Sequence, residues 1–218
     1  ILFARNCQTP DQVRILTNSL RDSISWDQAP VLIDQEGGRV ARLGPPHWPR
    51  RPPARIFADL ARQEDLVVAC EAARANARLI AADLRALGIT VNCAPVLDIP
   101  VPGAHKIIGD RAYGADPKTI ALLGRAVCEG LLAGGVLLVI KHIPGHGRAT
   151  ADSHVELPVV GTALEKMRKT DFAPFVELRD MTCAMAPHIL YSELDATAPA
   201  TSSPRVIQET IRDDIGFN

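Results

Sequence analysis

Between residues 63 and 87, apolar or small residues recur at three- and four-residue steps: Leu66, Cys70, Ala73, Ala77, Ile80, Leu84 and Leu87. Arg74, Arg78 and Arg85 fall elsewhere on the wheel. This is the period of an α-helix that buries one face, and Gly88 supplies its stop. Shorter apolar runs without that period read as buried strands, at residues 1–3, 30–34, 90–99, 135–141 and 183–187. Between them the pattern predicts helices over 117–133 and 164–179, a helix-like segment over 204–215, and a long proline-rich loop over 45–53. Alternating β and α elements with glycine-marked turns argue for a parallel sheet.

Each cluster of chemically capable residues follows one of those strands. They are Asp34-Gln35-Glu36-Gly37-Gly38, the stretch from Asp98 to Arg111, the stretch from Lys141 to His154, and the stretch from His188 to Tyr191. Strand-to-helix loops build the active rim of a (β/α) barrel, and the carboxyl edge of a doubly wound sheet plays that part at its switch point. Polar groups on four successive loops favour the barrel. A complete TIM barrel has eight strands and about 250 residues, whereas five strands are countable in these 218 residues. The expectation is an α/β protein: one incomplete TIM (β/α)8 barrel domain over residues 1–218, with strands 1, 7 and 8 missing.

Composition narrows the function classes. With 47% hydrophobic and 22% charged residues the chain can bury a substantial core. Its 24 basic and 25 acidic residues give no electrostatic reason to expect nucleic acid or an anionic membrane as partner. The longest apolar run, from Leu131 to Ile140, is interrupted by Gly134 and Gly135 and is too short to span a bilayer. Cys7, Cys70, Cys93, Cys128 and Cys183 are odd in number, far apart and set in apolar segments, so reduced, buried thiols of a cytosolic protein are expected.

Three of the six histidines lie in the fourteen residues from Lys141 to His154, KHIPGHGRATADSH. His142 and His146 have the spacing of two metal ligands on a helix, but Pro144 and Gly145 lie between them and prevent a normal helical turn. Proton transfer fits better. In Asp152-Ser153-His154 a carboxylate two residues from an imidazole can fix its tautomer while the other ring nitrogen faces a reacting atom. An Asx turn beside an exposed histidine is the plainer alternative. Lys141 and His142 end a buried strand and project donors toward the rim, although Lys141 reads equally as a buried base or as a strand-end cation reaching water. In Asp34-Gln35-Glu36-Gly37-Gly38 the carboxylate suits paired sugar hydroxyls, and the glycines would let backbone approach a ligand; a tight charged turn is the alternative.

Four segments together, Ile33-Asp34-Gln35-Glu36-Gly37-Gly38-Arg39-Val40, Asn92-Cys93-Ala94-Pro95-Val96-Leu97-Asp98, Ile108-Gly109-Asp110-Arg111, and Lys141 to Gly147 with Asp152-Ser153-His154, resemble the β-N-acetylglucosaminidases of glycoside hydrolase family three. The resemblance covers nearly the whole chain in the right order. It implies a TIM barrel that removes terminal non-reducing N-acetylglucosamine from cell-wall muropeptides during peptidoglycan recycling in the bacterial cytoplasm. The implied partner is this small-molecule sugar, and no metal or organic cofactor is implied. By the same resemblance His154 is the general acid/base, Asp152 its partner, and Asp34, Arg42, Arg111, Lys141 and His142 are sugar-binding residues.

The implied reaction is a retaining, two-step hydrolysis. A carboxylate attacks the anomeric carbon, His154 protonates the leaving oxygen, and His154 then deprotonates the water that frees the sugar. A loop hinged at Gly145 and Gly147 would bring His154 in. In the family the nucleophilic aspartate follows an Ile-Gly-Phe-x segment, and this chain ends Ile215-Gly216-Phe217-Asn218, so the nucleophile is expected beyond Asn218. Asp213 and Asp214 belong to the preceding helix-like segment. Two alternatives stand beside this reading: a family-three β-glucosidase, and a sugar-binding barrel without catalysis.

Overall fold

In the computed structural model, residues 1–151 and 156–218 are described. The chain divides into two compact units, one of Ile1–Pro95 with Ala126–Val139, the other of Val96–Arg125 with Ile140–Asn218.

The first unit opens with helix α1 (Pro10–Ser23), absent from the sequence expectation although Val13, Leu16 and Leu20 recur at helical steps; it buries only Val13 and Thr17. Its start is set by polar chemistry instead. Thr9 caps it, accepting from Gln12 N at 3.2 Å, Pro10 pre-sets the first turn, and Asp11 and Arg21 complement the helix dipole at either end. Strand β1 (Leu32–Ile33) leads into a bulged antiparallel hairpin, β2 (Gln35–Gly37) with β3 (Val40–Ala41). Helices α2 (Ala54–Gln63) and α3 (Leu66–Arg85) follow. Capped by Asp65, α3 buries Ala69, Ala73, Ala77, Ile80, Ala81 and Leu84, the three- and four-residue period expected of it. Strand β4 (Val91–Asn92), helix α4 (Pro117–Ala133) and strand β5 (Leu137–Leu138) come next. Leu2, Ile33, Asn92 and Leu138 form one parallel row, so four of the five expected strand segments are neighbours as anticipated.

In the second unit, β6 (Ile140–Lys141), β7 (Val159–Val160), β8 (Ala184–Met185) and β9 (Leu190–Tyr191) pair as β6 with β8 and β7 with β9, both parallel, and Val96 bridges Lys141 in the same sense. The helix expected over 164–179 is two pieces, α5 (Leu164–Lys169) and α6 (Ala173–Glu177). Pro174 cannot continue a helix, and Thr170 Oγ1 turns back onto Lys166 O at 2.8 Å. The break leaves Asp171 buried at 1% exposure among Phe172, Phe175 and Tyr191 of the core. Val206–Asp214 is wound as a π-helix, in place of the expected helix-like segment.

The protein is thus a mixed α/β fold with parallel pairing outside one hairpin. Among the described residues the ladders form four separate sheets and do not close into a ring of eight strands. The ladders are short where proline intervenes: the strand expected over 90–99 is cut at Pro95, which has no N–H to give. No helix of the described residues is long and apolar enough to cross a membrane. Cys93 and Cys128 are buried and Cys7 and Cys70 half-buried, but Cys183 is exposed. Its carbonyl accepts from Ile140 N at 3.0 Å, so the ladder uses its backbone and leaves its side chain at the surface.

Candidate active site

In the first unit the loop after β1 is held by amide side chains acting as substitute strands. Asn92 Oδ1 accepts from Gln35 N, and Asn92 Nδ2 donates to Gln35 O, both at 3.0 Å. Gln35 repeats the device: its Oε1 accepts from Arg42 N at 2.8 Å and Leu43 N at 3.0 Å, and its Nε2 donates to Leu43 O at 3.0 Å. Arg42 is therefore fixed by its backbone, and its Nη2 reaches Asp34 Oδ2 at 3.0 Å. Asp34 and Arg42, both singled out from the sequence, are brought together as a partly exposed ion pair.

The glycines beside them are close-packed. A Cβ on Gly37 would lie 2.3 Å from Pro52 O, and one on Gly38 2.6 Å from the Pro53 side chain, with both residues at positive φ. The pair lets the hairpin lie against the proline-rich segment 45–53.

In the second unit, Lys141 at the end of β6 is 2% exposed, which removes the reading of a cation reaching water. Its carbonyl accepts from Leu97 N at 2.7 Å, setting the next residue, Asp98, against His142. Asp98 is fully buried. Its Oδ2 lies 2.6 Å from His142 Nδ1, and its Oδ1 accepts from His146 N at 2.6 Å and His142 N at 3.2 Å. Burial pushes this carboxyl up, but the charge and hydrogen bond of His142, with His146 behind them, outweigh it and hold Asp98 below the usual carboxylate range. The stability Asp98 contributes is accordingly present above the ordinary carboxylate range and lost as pH falls through its folded value.

His146 is 4% exposed, with its ring 5.3 Å from that of His142. Burial pulls its pKa down against the attraction of Asp98, so it is a neutral core histidine whose backbone amide serves the carboxylate. Among the described residues no group of three or more His, Cys, Asp or Glu side chains is placed to hold a metal ion. Arg111 ends a 3-10 turn, Gly109–Arg111, half-buried, and its Nη1 donates to Ile107 O at 3.2 Å. Asp98 is the residue to which sequence reasoning assigned no role. Its signal was present, since like Asp34 it is a carboxylate ending an apolar strand run.

The segment after His142 is clamped through Ala149. Tyr191 donates its hydroxyl to Gly145 O at 2.8 Å, and burial, helped by Asp98 and Asp171, raises its pKa so far that it stays a donor. A Cβ on Gly147 would lie 1.9 Å from Ile99 O. His105 N donates to Ala149 O at 2.8 Å. Arg148 Nε meets Asp171 Oδ2 at 2.7 Å, and its Nη2 meets Thr170 Oγ1 at 3.0 Å. Gly145 and Gly147 are both close-packed, the first with an added Cβ 2.9 Å from Asp171 Cβ. Asp152 and His154 lie outside the described residues.

The Arg148–Asp171 pair is nearly dry, at 11% and 1% side-chain exposure. Removing one partner strands the other charge. Asp171→Ala is expected to cost about 3 kcal/mol, a fall in Tm of about 6–12 °C for a chain of this size. Arg148→Met with Asp171→Leu should recover most of that loss; thermal unfolding of both variants checks it.

The whole chain, residues 1–218, matches the family described as the glycosyl hydrolase family 3 N terminal domain. The chain belongs to that family. It is 38% identical over 219 residues to a β-hexosaminidase of Pseudomonas aeruginosa, covering 100% of this chain and 63% of the relative. Among solved structures, NagZ from Neisseria gonorrhoeae in complex with N-trifluoroacetyl-D-glucosamine matches with a TM-score of 0.92 at 33% identity, over 99% of this chain and 63% of that one. A family 3 β-N-acetylglucosaminidase from Paenibacillus matches with a TM-score of 0.86 at 36% identity, over 99% of this chain and 41% of that one. The chain spans 62–63% of the length of the first curated relatives it matches.

Proposed function

We propose that the protein carrying this chain is a retaining β-N-acetylhexosaminidase that releases terminal non-reducing N-acetylglucosamine from muropeptides in cytoplasmic peptidoglycan recycling. The observation that carries this reading is the match to β-hexosaminidases over the whole of this chain, which carries the Asp152-Ser153-His154 sequence. The bound N-acetylglucosamine analogue in the Neisseria relative supports the sugar class. His154 is the general acid/base with Asp152 orienting it, and the nucleophile is a carboxylate outside these residues. Asp34, Arg42, Arg111, Lys141 and His142 bind the sugar. The parallel ladders are taken as segments of an incomplete (β/α)8 barrel.

A strand-end carboxylate with a cationic neighbour, as in Asp34 and Arg42, suits adjacent hydroxyls, which need an acceptor and a donor side by side. The test is hydrolysis by the full-length protein of aryl N-acetyl-β-glucosaminide against aryl β-glucoside, with the anomeric form of the first product read by NMR. Preference for the N-acetyl sugar with initial release of the β-anomer is expected. Preference for the glucoside, release of the α-anomer, or no cleavage of either would overturn the assignment.

A further inference from the structure

We infer that Asp98 is a positioning residue for substrate binding: it holds the His142 imidazole in one orientation with a proton fixed on Nδ1, leaving Nε2 to face a sugar hydroxyl. This role rests on the proposed function, because it takes His142 as a residue that touches the sugar.

The hydrogen-bond inventory around Asp98 leaves one solution. Oδ1 accepts from two backbone amides, His146 N at 2.6 Å and His142 N at 3.2 Å. Backbone N–H groups only donate, so Oδ1 is an acceptor with both lone pairs in use. Oδ2, on the same fully buried group, faces His142 Nδ1 at 2.6 Å. An ionised carboxylate can only accept, so the proton between them sits on Nδ1. The carboxylate is itself fixed from behind, since Leu97 N bonds Lys141 O at 2.7 Å and Val96 bridges Lys141. The His142 side chain is 14% exposed while that of Asp98 is 0%. The imidazole is therefore the part of the pair that a ligand can reach, and Nε2 is its uncommitted nitrogen in this bond.

Asp98→Asn separates positioning from mere packing. The two backbone amides require the oxygen of the new side chain, which directs its NH2 group at His142 Nδ1. That nitrogen must then accept, and the proton moves to Nε2, as in other triads where an orienting carboxylate becomes an amide. In the full-length protein labelled with 15N-histidine, NMR is expected to show His142 protonated at Nδ1, and Asp98→Asn to leave Nδ1 bare and Nε2 protonated. N-acetylglucosamine should shift the Nε2 signal of the wild type and not that of the variant. For an aryl N-acetylglucosaminide KM should rise about tenfold with kcat little changed, the pattern of a lost binding contact.

A His142 still protonated at Nδ1 in a folded variant, or an unchanged KM, would overturn the role. So would a wild-type Nε2 that ignores the sugar while the enzyme hydrolyses its substrate, and in that case the hydrolase reading stands. If the sugar moves Nε2 but no glycoside is cleaved, the hydrolase reading fails and the positioning role stands. Should Asp98→Asn not fold, the wild-type tautomer and its response to sugar still decide.

Discussion

Replacing His154 by alanine in the full-length protein is expected to lower kcat about a hundred- to ten-thousand-fold on substrates with a sugar leaving group, the usual worth of a positioned general acid/base. A sugar alkoxide is a poor leaving group and must be protonated as the glycosidic bond breaks. An activated aryl leaving group needs no such help, so the first step should survive on an aryl substrate. The second step still needs a base to deprotonate water. The variant should therefore show a burst of phenol equal to the enzyme present, followed by slow turnover, because the glycosyl-enzyme accumulates. Asp152→Ala is expected to follow in the same direction with a smaller loss, since His154 remains. Steady-state and pre-steady-state kinetics on both substrate types check this. A His154→Ala enzyme with wild-type kcat on the sugar substrate would remove His154 from the chemistry.

Gly147→Ala is expected to destabilise the protein by about 3 kcal/mol, at the upper end of overpacking effects. The added methyl carbon would lie 1.9 Å from Ile99 O and 2.4 Å from Ile99 C, atoms that belong to backbone and cannot rotate away. Relief requires the 99–101 backbone or the 145–149 segment to move, and Val101 N donates to Gly147 O across that same seam. Tm should fall by about 6–12 °C, with a further loss of kcat/KM because Lys141 and His142 enter the displaced segment. Gly44→Ala is the matched control, since nothing lies within 4 Å of its added carbon and its φ is ordinary. It should be neutral or stabilise by about 0.5 kcal/mol through the unfolded chain. Equal melting temperatures for the two variants would show that the seam at Gly147 yields freely.

Much of the architecture was legible because α3 repeats a single burial period and because the strand runs are separated by helices and glycines. What escaped was set by interactions that periodicity does not record. Helix α1 carries only a short apolar stripe, Val13, Leu16 and Leu20, and is announced more plainly by Thr9-Pro10-Asp11 at its start. The break at Thr170 depends on Pro174 and on a hydroxyl turning inward, and it alone explains why Asp171 is available to Arg148. For Gly37, Gly38 and Gly147, the sequence says that some backbone comes close, not whose. Pro52, Pro53 and Ile99 are distant in the chain, and only the fold names them. Asp34, and His142 beside Lys141, are readable as strand-end groups and Arg42 only through the family resemblance, whereas the service Asp98 gives His142 spans forty-four positions.

The amide of Asn92 has a bearing on how the first unit assembles. An amide that grips the N–H and the C=O of one particular residue can do so at only one alignment of β1 with β4. Sliding either strand by a residue would invert which side chains face the interior and present Asn92 with the wrong partner. Asn92 is in that sense a key cut for Gln35, fixing the alignment from which the Asp34–Arg42 pair inherits its place.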